Sequence, residues 1–359
     1  GELTDPELTH LYHTFQLMME DVKEGRFSPA VVYDGDTPVE YASVPLTCYE
    51  GKGYRRETFE SISTLLENYY ASRDTITRIR QKSSDLRRIV QTALERSCKK
   101  YDLQLKQLKD TEKREKYRIY GELLNTYGYE LKGGEKSFNC INYYDNEEIT
   151  IPLDPQLTAR ENAQKHFDKY NKLKRTYEAL SQLTMETKAE VDHLESVSSA
   201  LDIALEENDL VQIKEELMEF GYVKKRRANE KRPKITSKPF HYISSDGYDI
   251  FVGKNNYQNE ELTFKVASGN DWWFHAKGIP GSHAIVKSNG QADLPDRVFE
   301  EAGALAAYYS KGRENDKVEI DYIQKKNIKK VAGAAPGFVI YHTNYSLVAS
   351  PRCDLKEVK

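Results

Sequence analysis

The sequence has no run of apolar residues near the ~18 that a membrane-spanning helix requires, so we expect no such helix. Its four cysteines are far apart and show neither a CxxC pair nor a Cys/His zinc spacing. This argues against a disulfide framework and a metal site and favours a reducing cytoplasm. Charge of one sign is also lacking: the formal net charge of −4 predicts no global attraction to nucleic acid.

A signal peptide is lacking as well, and the chain begins at Gly1 rather than methionine. We therefore expect the natural protein to start upstream. The 359 residues suffice for two or three domains. The mean hydropathy of −0.74 is low for one packed globule, which favours long, solvent-covered helices.

Two stretches, residues 59–127 and 155–220, have the spacing of long helices and contain almost no glycine or proline. The first has an apolar seam with alternating spacings of four and three: Leu94, Cys98, Tyr101, Leu105 and Leu108. Between the helices, residues 128–154 contain two strand-like runs around a turn. Two long helices joined by a small β-containing tip predict an antiparallel coiled-coil hairpin over residues 59–222.

Charge supports this pairing. Arg73–Arg118 contains 15 basic and 7 acidic residues, whereas Glu186–Glu219 contains 2 basic and 11 acidic residues. Near the tip both arms are basic, with 6 basic and 3 acidic residues in each of Lys106–Arg118 and Leu157–Gln182. This end is either an ordinary solvated surface or a contact for a phosphate backbone.

The segments on either side of the hairpin mix helices and strands. Residues 1–58 combine a helix at Pro6–Lys23 with two strands around the turn Asp34–Asp36. Residues 236–359 combine a helix at Pro295–Ser310 with short alternating runs. Those runs are Phe240–Ser244, Tyr248–Val252, Leu262–Ala267, Asp271–Ala276, Ser282–Lys287, Lys317–Ile323, Gly337–Tyr341 and Ser346–Ser350. We predict an α+β protein in which the hairpin is followed by a compact α+β domain.

The run after Asp271 has the densest chemical signal. On a strand, Trp273, His275 and Lys277 share one face. An aromatic ring, an imidazole and an amine in a row suit stacking on a base with a cation nearby. A Pro-Gly turn then brings Ser282 and His283 close to the end of the strand. We therefore expect these five residues to bind RNA, and expect Trp273→Ala and His275→Ala to weaken binding.

Other interpretations of these residues remain open. His275 and His283 form a metal pair only if a third ligand exists, and none occurs at a diagnostic spacing. Ser282 is a nucleophile only if a histidine activates it with Asp271 as the orienting acid, but the GxSxG-type context is missing. A turn-capping serine and structural histidines are the simpler interpretation. We expect no metal, no cofactor and no catalytic residue.

Basic clusters strengthen the RNA interpretation, although each of them is also compatible with a solvated surface. Seven of the eleven residues 224–234 are basic, in a linker that we place at residues 223–235. The candidate RNA-binding residues in these clusters are Lys224, Lys225, Arg226 and Arg227 in the linker, and Lys311, Arg313, Lys325, Lys326, Lys329 and Lys330 further on.

Three motifs in this order resemble one family. Gly247–Glu260 resembles the pattern "G…I.VGKN..QN", and Asp271–His283 resembles "D.W.HAK..PGSH". Ser310-Lys311, with Asp321-Tyr322 and Pro336-Gly337 further on, resembles the "SK…DYT…PG.V.Y" tail. These motifs are similar to the NFACT-R domain of the NFACT / fibronectin-binding protein A family, which includes the bacterial RqcH proteins. By this resemblance, residues 236–359 are the NFACT-R domain and residues 1–58 the end of the NFACT-N domain.

The resemblance implies ribosome-associated quality control. Family members bind the large ribosomal subunit and tRNA and support template-free C-terminal alanine tailing of stalled nascent chains. The implied partners are rRNA, ribosomal proteins and tRNA, and the basic tip is the expected rRNA contact. The family's acidic-basic pair for tRNA handling is expected upstream of Gly1. The resemblance also implies that the ribosome performs the chemistry, so the chain is not expected to be an enzyme.

Two alternatives belong to other functional classes. Bacterial members have been described as binding fibronectin, which would make the chain a surface adhesin, although nothing in the sequence indicates export. An RNA-processing enzyme would use Asp271, His275 and His283 for acid-base chemistry, which requires a geometry that sequence cannot establish.

Overall fold

A computed structural model describes residues 4–34, 37–51, 53–226, 234–291 and 293–358. The chain divides into two compact units, one formed by residues 91–195 and the other by residues 1–90 with residues 196–359. None of the helices in the described ranges is long and apolar enough to cross a membrane. The central residues of the predicted turn at Asp34–Asp36 lie outside the described residues.

The N-terminal elements are one exposed helix and one small sheet. They are α1 (Asp5–Lys23), β1 (Ala30–Asp34), β2 (Thr37–Ala42) and β3 (Arg55–Thr58). The strands form an antiparallel sheet in the order β2-β1-β3. Val31 and Tyr33 of β1 pack against Leu65 and Tyr69 at the start of the next helix. This contact anchors the first long helix on the sheet.

Long helices and a short hairpin account for the middle of the chain. They are α2 (Ile62–Asp110), α3 (Arg114–Tyr127), β4 (Ser137–Ile141), β5 (Glu148–Pro152), α4 (Ala159–Ile203) and α5 (Glu207–Glu219). In the unit of residues 91–195, β4 and β5 pair antiparallel, and Phe138 and Ile151 pack with Leu123 and Ala163. The predicted β-containing tip is confirmed.

Contacts along the helices show that the outgoing and returning segments run antiparallel. In the unit of residues 91–195, the Arg114 guanidinium lies 4.0 Å from the centre of the Tyr177 ring. In the other unit, Lys82 pairs with Glu207 at 2.5 Å and Arg87 pairs with Asp202. The acidic return segment therefore lies beside the basic outgoing helix, as the charge pattern predicts.

The seam of the outgoing helical segment follows the predicted one only in part, because Leu94, Cys98, Tyr101 and Leu108 are half-buried but the most buried positions are others. Ser97, Gln104 and Thr111, seven residues apart, are buried, whereas Leu105 is 40% exposed. A search for apolar residues misses this line because its buried positions carry small or polar side chains. Gln104 and Thr111 still suit a heptad seam, because polar residues there fix register rather than add stability.

The C-terminal domain is an antiparallel sheet covered on both faces. Its elements are β6 (Phe240–Ile243), β7 (Asp249–Val252), α6 (Asn256–Glu261), β8 (Trp272–Ala276), β9 (Ala284–Val286), α7 (Asp296–Tyr308), β10 (Val318–Gln324), β11 (Lys329–Lys330), β12 (Val339–Ile340) and β13 (Tyr345–Ala349). Six strands have the order β13-β10-β8-β9-β7-β6, and β11 pairs with β12 separately. Phe274 and Ala276 pack with α7 on one face, and Trp273 and Ile285 pack with Leu262 on the other. The predicted α+β class is confirmed.

One predicted strand is wrong. Residues 262–267 alternate in polarity, but α6 and a π-helical turn at Leu262–Val266 occupy this part of the chain. The Asn255 side chain caps α6 by accepting a hydrogen bond from the backbone N–H of Gln258 at 3.1 Å. The cap and the burial of Leu262 outweigh the alternating pattern, which is short enough to suit either structure.

Candidate RNA interface

The predicted stacking face of β8 is buried. Trp273 is 1% exposed, and its ring packs against Tyr341 and His275, with centroid separations of 5.3 Å and 5.6 Å. The expectation of an open stacking face is wrong because the turn at Leu262–Val266 and the residues around Tyr341 cover this side of the sheet. A ring without an exposed face cannot stack on a base, so Trp273 belongs to the core in this structure.

His275 and His283 belong to the same interior. Their rings lie edge to face at 5.4 Å, and His283 Nδ1 lies 2.7 Å from Thr263 Oγ1. Burial lowers the pKa of His275 to about 4. Burial, and then the neighbouring His275, lowers the pKa of His283 well below its usual value. Both imidazoles are therefore neutral near pH 7, so neither supplies a cation for a phosphate.

The histidine pair predicts a specific acid sensitivity. Because the folded-state pKa values lie below the ordinary 6.5, the unfolded chain takes up protons first as the pH falls. The contribution of His275 to stability is full above about pH 6.5 and is lost toward about pH 4, by up to about 1.4 kcal/mol per pH unit. His283 adds a loss in the same direction. Urea unfolding at several pH values in this window measures the loss. His275→Gln should make the loss smaller, and a flat wild-type profile would contradict the assignment.

Ser282 and Lys277 are also engaged within the protein. Ser282 is buried and donates a hydrogen bond to the backbone carbonyl of Gly253, and no hydrogen bond in the described ranges joins it to a histidine. Lys277 is exposed and forms an ion pair with Glu319, which raises the pKa of the amine. Asp271 accepts hydrogen bonds from Ser288 and binds Lys287. These contacts connect the segments around β8 to the residues after β7 and β9 and to β10.

The "VGKN..QN" motif lies in a buried polar junction with α5. Lys254 Nζ lies 3.3 Å from Asp209 Oδ1, with side chains 10% and 1% exposed. Asp209 also accepts hydrogen bonds from Ser237 Oγ at 2.6 Å and from the backbone N–H groups of Leu205 and Glu206 at 3.0 Å. The buried carboxylate is therefore surrounded by one ammonium group and three uncharged hydrogen-bond donors.

The amides of the motif extend this junction. Asn255 and Gln258 both donate to Gln212 Oε1, at 2.9 Å and 3.2 Å, and Asn256 donates to Glu216 Oε1 at 2.7 Å. Because they are buried and satisfied, they hold α5 against the C-terminal domain and are not available to RNA.

Gly253 is required by this arrangement. A Cβ there would lie 2.2 Å from Asn259 Oδ1, which accepts the backbone N–H of His283 at 3.0 Å. Any side chain would displace that bond, so this position of the motif has a packing explanation.

Exposed cations occur after β10. Lys326 and Lys329 are exposed and form no ion pair with any residue that the structure describes. Lys330 pairs with Glu260 at 2.6 Å, and Lys325 Nζ lies 6.0 Å from the centre of the Phe264 ring. Of the four lysines predicted here, Lys326 and Lys329 are therefore the most available for phosphate.

The remaining predicted cations are more varied. Arg313 lies over the Tyr308 ring at 3.8 Å, and Lys311 is exposed. In the linker, Arg226 pairs with Glu215. The other linker candidates are Lys224 and Lys225, which are exposed, and Arg227, which lies outside the described residues.

At the tip, the basic residues lie on the helices and not on the hairpin. Residues 128–154 contain two basic residues and six acidic residues. Six lysines of the basic arm segments 106–118 and 157–182 are exposed and have no ion pair within the described part of the chain: Lys106, Lys109, Lys116, Lys169, Lys172 and Lys174. Lys116 and Lys169 lie over tyrosine rings, which leaves the other four arm lysines as the most available for phosphate. Lys169 Nζ lies 4.3 Å from the centre of the Tyr117 ring, and Tyr129 is 80% exposed. The sequence analysis did not single out Tyr129 as a candidate contact, although its position in the predicted tip could have indicated it.

In the described ranges, no three histidine, cysteine, aspartate or glutamate side chains are placed to hold a metal ion. What the surface offers is cations and exposed aromatic rings, which suit a phosphate backbone and stacked bases.

Comparison with known families gives two matches that together cover most of the chain. A family model for the NFACT N-terminal and middle domains matches residues 1–236. A model for the NFACT protein RNA binding domain matches residues 238–342.

Individual relatives agree with these matches. The Rqc2 homolog RqcH of Streptococcus suis is 42% identical over 326 residues, covering 90% of this chain and 57% of the relative. The Rqc2 homolog RqcH of Bacillus subtilis is 35% identical over 341 residues, covering 94% of this chain and 58% of the relative. The chain thus spans little more than half the length of these relatives.

A solved structure is also similar. The C-terminal part of the fibronectin/fibrinogen-binding protein from Streptococcus suis aligns with a TM-score of 0.59 and 37% sequence identity. The alignment covers 77% of this chain and 97% of that chain. This similarity is high enough to support the fold as well as the relationship.

Proposed function

The chain belongs to the NFACT family, and on that premise we propose that it binds tRNA and the large ribosomal subunit. In this proposal it is part of a ribosome-associated quality control factor that supports template-free alanine tailing of stalled nascent chains. The match of residues 238–342 to an RNA binding domain is the observation that carries the proposal. A cytoplasmic location follows from it.

The proposal distributes the RNA contact over two regions. Lys326 and Lys329 in the C-terminal domain are exposed and without an ion pair among the described residues, so they are free to replace counterions on a phosphate backbone. The four arm lysines near the tip have the same property. Because the hairpin of the tip is acidic, we propose that the flanks of the arms contact rRNA and that the hairpin does not.

We also propose that the chain performs no chemical step. Ser282, His275 and His283 are held in contacts within the fold, and peptide transfer would belong to the ribosome. RNA cleavage by this chain would contradict this part of the proposal.

Replacing Lys326 and Lys329 with glutamine should weaken tRNA binding and lower its salt dependence. Each phosphate that the variant no longer neutralises should reduce the slope of log K against log salt by about 0.7–0.9. Filter binding with bulk tRNA over a salt series measures this slope. Lys265→Gln, which replaces an exposed lysine of the same domain, is the matched control. An unchanged slope in the double variant would remove these lysines from the interface.

Fibronectin binding is the second candidate, because the similar solved structure is described as fibronectin/fibrinogen-binding. Immobilised fibronectin in the same salt series separates the two functions. If the chain binds fibronectin, tRNA does not compete with this binding, and no RNA is bound at low salt, the adhesin function would be favoured. Salt-sensitive binding to tRNA and large subunits would favour the proposed function.

A further inference from the structure

An aromatic cleft opens between the start of α7 and the sheet of the C-terminal domain. Trp272 of β8, Tyr322 of β10 and Tyr345 of β13 line it, and Phe299 of α7 closes it on the helix side. The ring centroids of Trp272 and Phe299 are 4.9 Å apart, and those of Tyr322 and Tyr345 are 5.4 Å apart. The cavity has a volume of about 360 Å³, which is enough for one long side chain.

Two carboxylates lie at the edge of this cleft. Asp296 and Glu300 are one helical turn apart on α7 and are both exposed. Neither carboxylate forms an ion pair or a side-chain hydrogen bond with any residue in the described ranges. The pKa of the Tyr322 phenol is raised, chiefly by burial and then by Tyr345 and the Asp296 carboxylate. The negative charge of Asp296 therefore acts on the rings of the cleft. The cleft therefore combines ring faces with uncompensated negative charge.

The cleft and the exposed lysines that follow β10 lie on opposite faces of the sheet. Trp272, Phe299 and Tyr322 pack on the core that α7 covers. Ile328, which lies between Lys326 and Lys329, packs into the core of the other face together with Trp273. The domain thus separates an acidic, aromatic surface from a basic one. A nucleic acid bound through the lysines would not need this cleft.

We propose that the cleft binds an arginine side chain presented by an exposed segment of a partner protein. A guanidinium is planar, stacks on aromatic faces and pairs with carboxylates, so it satisfies the rings and the acidic edge together. A nucleotide satisfies the rings alone, because its phosphate would meet Asp296 and Glu300. This inference does not depend on RNA binding.

The test uses a short peptide, acetyl-Gly-Arg-Gly-amide, and its citrulline counterpart, which has nearly the same shape but no charge. Isothermal titration calorimetry on the whole chain should show the arginine peptide binding about tenfold more tightly than the citrulline peptide. Asp296→Asn with Glu300→Gln should remove that difference. Tyr345→Ala, a substitution of a side chain that is 62% exposed, should weaken the binding of the arginine peptide and leave the fold intact.

Asp293→Asn is the matched control, since this exposed carboxylate precedes α7 and does not line the cleft. It should bind the arginine peptide as the wild type does. Equal affinity for the two peptides, no binding at millimolar concentration, or insensitivity to the double variant would each overturn the proposal. So would an oligonucleotide that displaces the peptide and depends on Tyr345, because the cleft would then be a base-stacking site.

Discussion

Lys254→Ala should lower the free energy of unfolding of the C-terminal domain by about 3–5 kcal/mol. The amine and the Asp209 carboxylate are both buried, and removing one of them leaves the other charge without its counterion. The remaining donors to Asp209 are uncharged, so they cannot replace the lysine. The packing of the lysine stem would be removed as well, since Nζ lies 4.5 Å from the centre of the Phe240 ring.

Urea unfolding followed by tryptophan emission measures this loss in the right place. The chain has two tryptophans, Trp272 and Trp273, and both lie in β8 of the C-terminal domain. Lys254→Met keeps the stem and removes the charge, so the two variants together separate packing from electrostatics. Lys265→Ala, on an exposed lysine, should change the free energy of unfolding by no more than about 0.5 kcal/mol. A loss below about 1 kcal/mol in Lys254→Ala would contradict the role assigned to the junction.

Trp273→Ala should cost about 3–5 kcal/mol, because it removes the largest side chain of a closed core and leaves a cavity. Trp273→Phe should cost much less, since a ring would still fill most of the space. Trp272 remains as the fluorescent reporter in both variants. The affinity for tRNA, measured per folded molecule, should not change in either variant.

An accessible Trp273 ring would give a different result. If Trp273→Ala keeps the stability of the wild type but weakens tRNA binding, RNA reaches the ring. The stacking face predicted from the alternation of β8 would then be correct.

The architecture was accessible to sequence reasoning because its signals are long or repeated. Two glycine-poor helical stretches of opposite charge predict an antiparallel pair, and the ion pair of Lys82 with Glu207 bears this out. The buried line through Ser97 and Gln104 was not accessible, because polar residues at a seam look like surface. Leu262–Val266 shows the limit for short segments, where a cap and tertiary packing outweigh alternation.

The site was harder to predict, because alternation gives the face of a strand but not what covers that face. Alternation predicts one face for Trp273 and Lys277, yet Trp273 is buried in β8, whereas Lys277 follows the strand and is exposed and paired with Glu319. Similarly, the resemblance found the "VGKN..QN" motif, but Lys254 and Asn256 contact α5 instead of solvent. Whether a lysine is available for phosphate depends on its neighbours in space. Lys330 forms an ion pair with Glu260, whereas Lys326 has no ion pair among the described residues.

Binding to purified large ribosomal subunits over a salt series tests the central claim most directly. The wild-type chain is compared with a variant in which glutamine replaces four of the exposed arm lysines: Lys106, Lys109, Lys172 and Lys174. We expect the wild-type affinity to fall steeply with salt, and the slope of the variant to be lower by about 0.7–0.9 for each phosphate that it no longer neutralises. Binding that does not depend on salt, or identical slopes for the two proteins, would contradict recognition of the ribosome through the basic arms.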